Sequence, residues 1–277
     1  MKYYLYNPLA NNGRKPDTPA EELLKAPGVE LHDATKTDFA AFFRALKEDD
    51  EVVLIGGDGT INHLINHVDC EHLQNNVYLL GNGSGNDFLN DIGEKPGKEI
   101  LINRYLKNLP TVRVNGMERK FINNMGFGID GYCCEVADQI KEKAPNKKIN
   151  YTSIAIKGLL FHFKPCHAVI EVDGKTYEYD NVWLAPSMKG RYYGGGMMVA
   201  PGQDRFSDKL TVVVYTCRSK LKTLIHFPSI FEGKHVELTE MTKVMTGNQI
   251  HVKYSRPCAG QIDGDTVLNA TEYWAQL

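Results

Sequence analysis

Val52-Val53-Leu54-Ile55-Gly56-Gly57-Asp58-Gly59-Thr60-Ile61-Asn62 is the stretch on which the fold turns. The apolar run 52–55 reads as a buried strand, and the pattern over 61–68 reads as a helix. A glycine-dense turn between such a strand and helix is where backbone N–H groups converge on a phosphate. Asp58 inside that turn would repel phosphate unless a divalent cation lay between them. The stretch therefore points to a metal–nucleotide site.

Outward from it, the first 107 residues alternate strand and helix. Lys2–Tyr6, 29–32 and 77–80 read as strands. The segment 18–24 reads as a helix capped by Thr18 with Pro19 at its first position, 38–46 as a second helix, and Asp87 opens another. This rhythm predicts a parallel sheet with helices on both faces, a doubly wound α/β domain. Two further turn-rich segments, 7–13 and 81–87, follow strands of that sheet. All three would lie at its carboxyl edge, where ligands bind. Ser84, Asn86 and Asp87 suit helix N-caps. No G-x-x-x-x-G-K-[ST] occurs, and no G-x-G-x-x-G opens the first helix.

From Thr111 the pattern becomes one of alternation: Thr111–Val114, 168–172, 175–179, 182–185, 210–215 and 249–254. Asn115-Gly116 and Asp173-Gly174 are hairpin signals. Helical runs at 133–143 and 221–225 interrupt them. The predicted organisation is an α/β domain over 1–107, a largely antiparallel β domain over 108–267, and a return of 268–277 to the first domain. Net charge is −2 across 277 residues, which argues against a nucleic-acid partner. No run approaches the roughly 18 apolar residues of a membrane span. Six cysteines without a C-x-x-C pair, and a start that passes straight into a strand pattern, fit a reduced cytoplasmic setting.

The ordered set of motifs resembles the diacylglycerol kinase catalytic family of lipid kinases, which includes sphingosine and ceramide kinases. The matching elements are Asn7-Pro8, Ala34-Thr35 with Asp38 and Ala40, Gly56 to Asn62, and Gly83-Ser84-Gly85-Asn86-Asp87-Phe88. In the later half they are Asn123 to Gly128, Tyr193 to Met197, Val199-Ala200-Pro201, Asp208 to Val212, and Gln261-Ile262-Asp263-Gly264-Asp265. The match runs from residue 7 to about 268. Four positions depart from the family pattern: Ser84 stands for Thr, His63 for Glu, Lys209 for Gly and Asp265 for Glu.

The resemblance implies an α/β nucleotide-binding domain joined to a β-sandwich, with the nucleotide in the cleft between them. It implies ATP held by Asn7, Thr35, the loop Gly57, Asp58, Gly59, Thr60, Ile61, Asn62 and His63, and by Ser84 and Asn86. Asp58 would act through Mg²⁺ and its waters, and Asp87 would support the same waters or cap its helix. Asp265 takes the place of the family's general base. It is shorter than Glu by one C–C bond, about 1.5 Å, so a backbone shift, a bridging water or a shared role for Asp263 would be needed. By residue chemistry alone, Asp263-Gly264-Asp265 also reads as a solvent hairpin turn. Some members hold a structural Mg²⁺ at the position of Asp208 with the carbonyls of Arg205 and Leu210.

The implied reaction is ATP-dependent phosphorylation of a lipid hydroxyl, diacylglycerol to phosphatidic acid. The alternatives are a sphingoid-base or phospholipid-headgroup kinase, a NAD kinase-like enzyme, or a non-catalytic binding homologue. Tyr192, Tyr193, Met197 and Met198 would line an acyl cleft or pack a core. The lysine-rich run 141–148 and the apolar run 156–163 raise peripheral contact with the inner membrane face, and a homodimer is a further expectation.

Overall fold

The computed structural model describes residues 1–10, 30–83, 85–144, 147 and 149–277. The chain divides into two compact units, Met1–Leu109 and Pro110–Leu277. Within the first, strands β1 (Lys2–Tyr6), β2 (Glu30–Asp33), β3 (Glu51–Gly56), β4 (Asn76–Gly81) and β5 (Glu99–Leu101) form one sheet in the order β2-β1-β3-β4-β5. The first four are parallel and β5 is an antiparallel edge. Val52 to Ile55 are fully buried, so this central strand is covered on both faces, as parallel sheets require.

Helices α1 (Phe39–Ala45), α2 (Asp58–His67) and α3 (Asp87–Asp91) belong to this unit. The Asp38 carboxylate accepts the Ala41 N–H and starts α1. Helix α2 begins earlier than the apolar pattern predicts: Gly57 is its N-cap and Asp58 lies in its first turn. Asp58 is thus helical, at the end where the helix dipole favours a carboxylate. The helix expected at 18–24, the loop residues 11–13 and Ser84 lie outside the described residues.

The second unit is built on a ten-stranded sheet of β6 (Thr111–Val114), β7 (Met117–Lys120), β8 (Asn124–Phe127), β9 (Cys166–Val172), β10 (Lys175–Leu184), β11 (Ser187–Met188), β14 (Leu210–Thr216), β15 (Thr242–Gly247), β16 (Gln249–Ile262) and β17 (Asp265–Gln276). β12 (Tyr192–Tyr193) and β13 (Met197–Met198) make a separate ribbon. β16 pairs with β9 through residues 250–254 and with β8 through residues 260–262, with irregular register between. That bend folds the sheet over itself around a core that includes Phe127, Ile170, Val212, Tyr254 and Tyr273, the β-sandwich expected. Helices α4 (Ile129–Lys143), α5 (Tyr151–Lys157) and α6 (Lys220–His226), with a π-turn at Gly158–His162, complete the unit. Ile129, Cys133 and Ala137 of α4 pack with Trp183, Val213 and Tyr215 in a second core.

Both DG and NG hairpin signals are realised. Asn115-Gly116 and Asp173-Gly174 take positive φ at both residues, 50° and 76°, then 48° and 79°, as a type I′ turn requires. The segments expected as separate strands at 175–179 and 182–185 are one strand, β10, whose register slips between Tyr179 and Val182. The return of 268–277 to the first unit does not occur. β17 pairs with β16 on one side and β6 on the other. Its residues Val267, Ala270, Tyr273 and Ala275 are buried in the sandwich core, which holds the strand in the second unit.

Gly131 lets α4 approach β16. A Cβ at this position would stand 2.1 Å from the Ala259 carbonyl oxygen, and neither helix nor strand backbone can yield cheaply. Gly131→Ala is expected to cost about 3 kcal/mol of stability by overpacking, read as a lower denaturant midpoint with an unchanged slope.

Candidate functional site

The four parallel strands of the first unit end in step. Tyr6 lies opposite Asp33 and Ile55, and Gly56 opposite Gly81. The next residues continue the ladder: the Asn7 N–H donates to the Ile55 carbonyl (3.0 Å), Ala34 N–H to Tyr6 (2.8 Å) and Asn82 N–H to Gly56 (2.7 Å). One sheet edge therefore carries Asn7, Thr35, Gly57 and Asn82 side by side. This is the carboxyl edge where ligands of open parallel sheets bind.

Asp58 ties two of these loops together. Its Oδ2 accepts the Asp87 N–H (3.0 Å) and its Oδ1 the Phe88 N–H (2.8 Å). It thereby caps α3 from a different strand's loop, in place of Asn86, whose side chain makes no cap bond. The Asn86 amide instead closes its own loop onto Gly83, accepting its N–H (3.1 Å) and donating to its carbonyl (3.0 Å). Asn86 adopts φ 51°, a left-handed conformation that Asn tolerates. Gly57 and Gly83 touch back to back: a Cβ on Gly57 would be 2.7 Å from the Gly83 Cα. Asn7 Nδ2 donates to Thr60 Oγ1 (3.0 Å), and Thr60 packs against the bare Cα of Gly56.

Ile61 and Asn62 are buried in α2. His63 is exposed in the second turn, its ring edge-on to Phe39 (4.6 Å between centroids) and beside His67 (4.1 Å). Thr35 is exposed, and its hydroxyl and N–H both donate to Asp33 Oδ1 (2.6 and 2.9 Å). Those bonds, the hydroxyl's first, hold the Asp33 carboxyl below its usual range. Sequence reading passed over Asn82. Its side chain is buried, yet among the described residues neither its oxygen nor its nitrogen has a hydrogen-bond partner. A buried amide left unpaired costs free energy, and at this edge it is suited to a polar ligand. Its only signal in the chain was its place between Gly81 and Gly83.

Asp58 and Asp87 are the carboxylates of the two joined loops. Mg²⁺ that arrives with nucleotide phosphates takes one or two carboxylates and keeps several waters, and these two suit that role. Among the described residues no three His, Cys, Asp or Glu side chains gather as a cage.

In the second unit, Asp263 and Gly264 are the two-residue turn of the β16–β17 hairpin, with φ 48° and 93°. The Asp263 carboxylate accepts three backbone N–H groups, from Ile122 (2.7 Å), Asn123 (2.8 Å) and Asn124 (2.9 Å). A carboxylate so engaged anchors its turn and is poorly placed to accept a substrate proton, so the shared catalytic role expected of Asp263 is not supported. Asp265 is different. Its side chain is 58% exposed, and its Oδ2 accepts from Arg119 (2.8 Å). Beside this turn the side-chain amide of Asn124, fully buried, has no partner at either atom among the described residues.

The turn at 203–209 does not suit a resident metal. Lys189 is buried and its ammonium donates to the Ser207 carbonyl (3.2 Å). Burial pulls its pKa down to about 8, while Asp204 and Asp208 favour its charge. Arg205 adds a second buried cation, bonded to the Ile122 carbonyl (2.5 Å) and to Asn123 Oδ1 (2.9 Å). The metal site expected of Asp208, Arg205 and Leu210 therefore meets a turn that already holds its own cations. Tyr193 is buried and Met197 packs against the same core, which favours the packing role of this ribbon.

Asp130, in the first turn of α4, is buried, accepts from Gln261 Nε2 (3.3 Å) through Oδ2, and has its pKa raised by that burial. A carboxyl raised in the folded state supports stability fully below its unfolded pKa, near 3.9, and that support is lost as pH rises through the folded value. Asp130→Asn is therefore expected to melt with the parent at pH 4 and a few degrees above it at pH 8. Thermal melts at the two pH values check this.

Residues 3–112 match the diacylglycerol kinase catalytic domain, and residues 123–272 match the YegS C-terminal NAD kinase beta sandwich-like domain. A diacylglycerol kinase of Mycobacterium tuberculosis is 27% identical over 255 residues, which cover 88% of this chain and 78% of that protein. The crystal structure of a diacylglycerol kinase from Bacillus anthracis superposes with a TM-score of 0.65 at 20% identity, covering 100% of this chain and 93% of that one. At that identity the structural likeness speaks for the fold.

Proposed function

Because this chain belongs to the diacylglycerol kinase family of lipid kinases, we propose that it transfers the γ-phosphate of ATP to a lipid hydroxyl, with diacylglycerol as the acceptor. The observation that carries this reading is the joined pair of loops at the sheet edge: Asp58 capping Asp87 and Phe88, with Gly57 against Gly83. Phosphoryl transfer depends on positioning and charge neutralisation more than on covalent help, and a tied pair of glycine loops supplies the first.

In this reading Asn7, Thr35, the α2 N-terminus and Asn82 hold the nucleotide, and backbone N–H groups face its phosphates. Mg²⁺, when bound with the nucleotide, would neutralise phosphate charge beside Asp58 and Asp87. Asp265 accepts the proton of the attacking hydroxyl through its free Oδ1, Arg119 orienting the carboxylate by the other oxygen. The phosphorus–oxygen bond to the lipid forms as the bond to ADP breaks.

The test is ATP consumption with Mg²⁺ and, in turn, diacylglycerol, sphingosine, phosphatidylglycerol or NAD. Phosphatidic acid formation supports the reading. Turnover with NAD alone would overturn it in favour of a NAD kinase-like enzyme, and ATP binding without turnover on any acceptor would make the chain a binding homologue.

A further inference from the structure

Helix α2 carries a pair of histidines on its outer side. His63 lies in its second turn and His67 is its last residue, and both are exposed. Four residues apart, they share one face. Their rings meet at 4.1 Å between centroids, with 35° between the planes. Among the described residues His32, His72, His167 and His251 each lie against a carboxylate. His63 and His67 lie against each other, and Phe39 stands edge-on to His63 at 4.6 Å.

The hydrogen bonding of His67 decides which of its nitrogens can ligate. Its Nδ1 is 2.7 Å from the His63 carbonyl oxygen. A carbonyl oxygen only accepts, so Nδ1 carries the proton and the lone pair of the neutral ring is on Nε2. A metal-ligating histidine ordinarily has its other nitrogen held in this way. Two histidines at i and i+4 are also the spacing by which a helix presents imidazoles to zinc. In zinc proteases a Glu follows the first histidine. Here Leu64 does, so the pair is equipped to hold a metal without that base. The pair lies toward the carboxyl end of a ten-residue helix, where the dipole favours positive charge.

We infer that His63 and His67 bind a borderline divalent cation such as Zn²⁺ through one nitrogen of each ring, water filling its other positions. Imidazole suits zinc, copper and nickel, whereas magnesium takes oxygen ligands. The site is therefore separate from the Mg²⁺ that the kinase reading puts beside Asp58 and Asp87, and it stands whether or not that reading does. An ion bridging successive turns ties down the end of α2.

The test is calorimetric titration of the whole chain with Zn²⁺ in a buffer that holds excess Mg²⁺. The parent should bind Zn²⁺ that Mg²⁺ does not displace. His63→Gln and His67→Gln should each weaken that binding at least about tenfold, since even the hydrogen-bond partner of a ligand is worth that much. Both positions are exposed and Gln suits a helix, so each variant should melt with the parent in EDTA. Zn²⁺ should raise the melting temperature of the parent, because it binds the folded chain, and the variants should lose that rise. With Cu²⁺ as the probe, electron paramagnetic resonance should show two imidazole nitrogens in the parent and one in each variant. Zinc held as tightly by both variants as by the parent would sit at cysteines or other histidines and overturn the inference. So would a parent whose copper spectrum shows a single imidazole, or a parent that binds no Zn²⁺ in the presence of Mg²⁺.

Discussion

Asp265→Ala is expected to lower turnover roughly 10²–10⁴-fold, the range spanned by general acid–base catalysis, while the protein melts as the parent does. The second half of that expectation follows from geometry. The hairpin turn is made by Asp263 and Gly264, and Asp263 anchors it through three backbone amides. Asp265 is more than half exposed, and its ion pair with Arg119 is of the surface kind that contributes about 0–1 kcal/mol. Loss of turnover without loss of stability would therefore report chemistry. Asp265→Glu supplies the complementary result. It restores the reach of the family residue, and if the shorter side chain limits the present enzyme, turnover rises. Steady-state kinetics on phosphatidic acid formation, with a thermal melt of each variant, decide the matter. Full activity in Asp265→Ala would remove this residue as the base.

Gly57→Ala should damage both stability and nucleotide binding. The added carbon would stand 2.7 Å from the Gly83 Cα and 3.4 Å from its nitrogen, so one loop backbone must move away from the other. Overpacking of this kind costs about 1–3 kcal/mol. Displacing a phosphate-binding loop by the order of 1 Å can cost about 10²-fold in rate. Gly59→Ala separates the two effects. Its Cβ would meet nothing within 4 Å, and Ala is the better helix residue by about 1 kcal/mol. That variant should melt at or above the parent, yet bind nucleotide more weakly if phosphate approaches the bare α2 N-terminus. Nucleotide titration beside a melt reads both. A Gly57→Ala protein that keeps parental stability and affinity would sink the idea that contact between the two glycines sets the site.

Local chemistry made much of this legible. The apolar run 52–55 followed by glycines marked the central strand and the edge where it ends, and positive-φ dipeptides marked two hairpins. What escaped was set by partners distant in sequence. Asp58 looked like part of a loop because nothing nearby reveals that its oxygens cap Asp87 and Phe88. Asp263 was expected to share the role of Asp265, and the amides of 122–124 that engage its carboxylate are invisible in the sequence. Asn82 gave no pattern, because an unpaired amide is defined by its surroundings. The run 268–277 was expected in the first domain, because its apolar residues Tyr273 and Ala275 show that a face is buried and not which sheet buries it.

That strand has a consequence for how the molecule is made. Trp274 pairs with Arg113, and Gln276 with Thr111, so an interior position of the second sheet stays vacant until residues 265–276 leave the ribosome. The first unit, complete by Leu109, can fold during synthesis, as leading domains do. The second must hold β6 and β7 without their neighbour through most of translation, and contacts so remote in sequence form slowly. Until then the edge of β6 that β17 will cover stays unpaired, at a stage when the first unit is already complete.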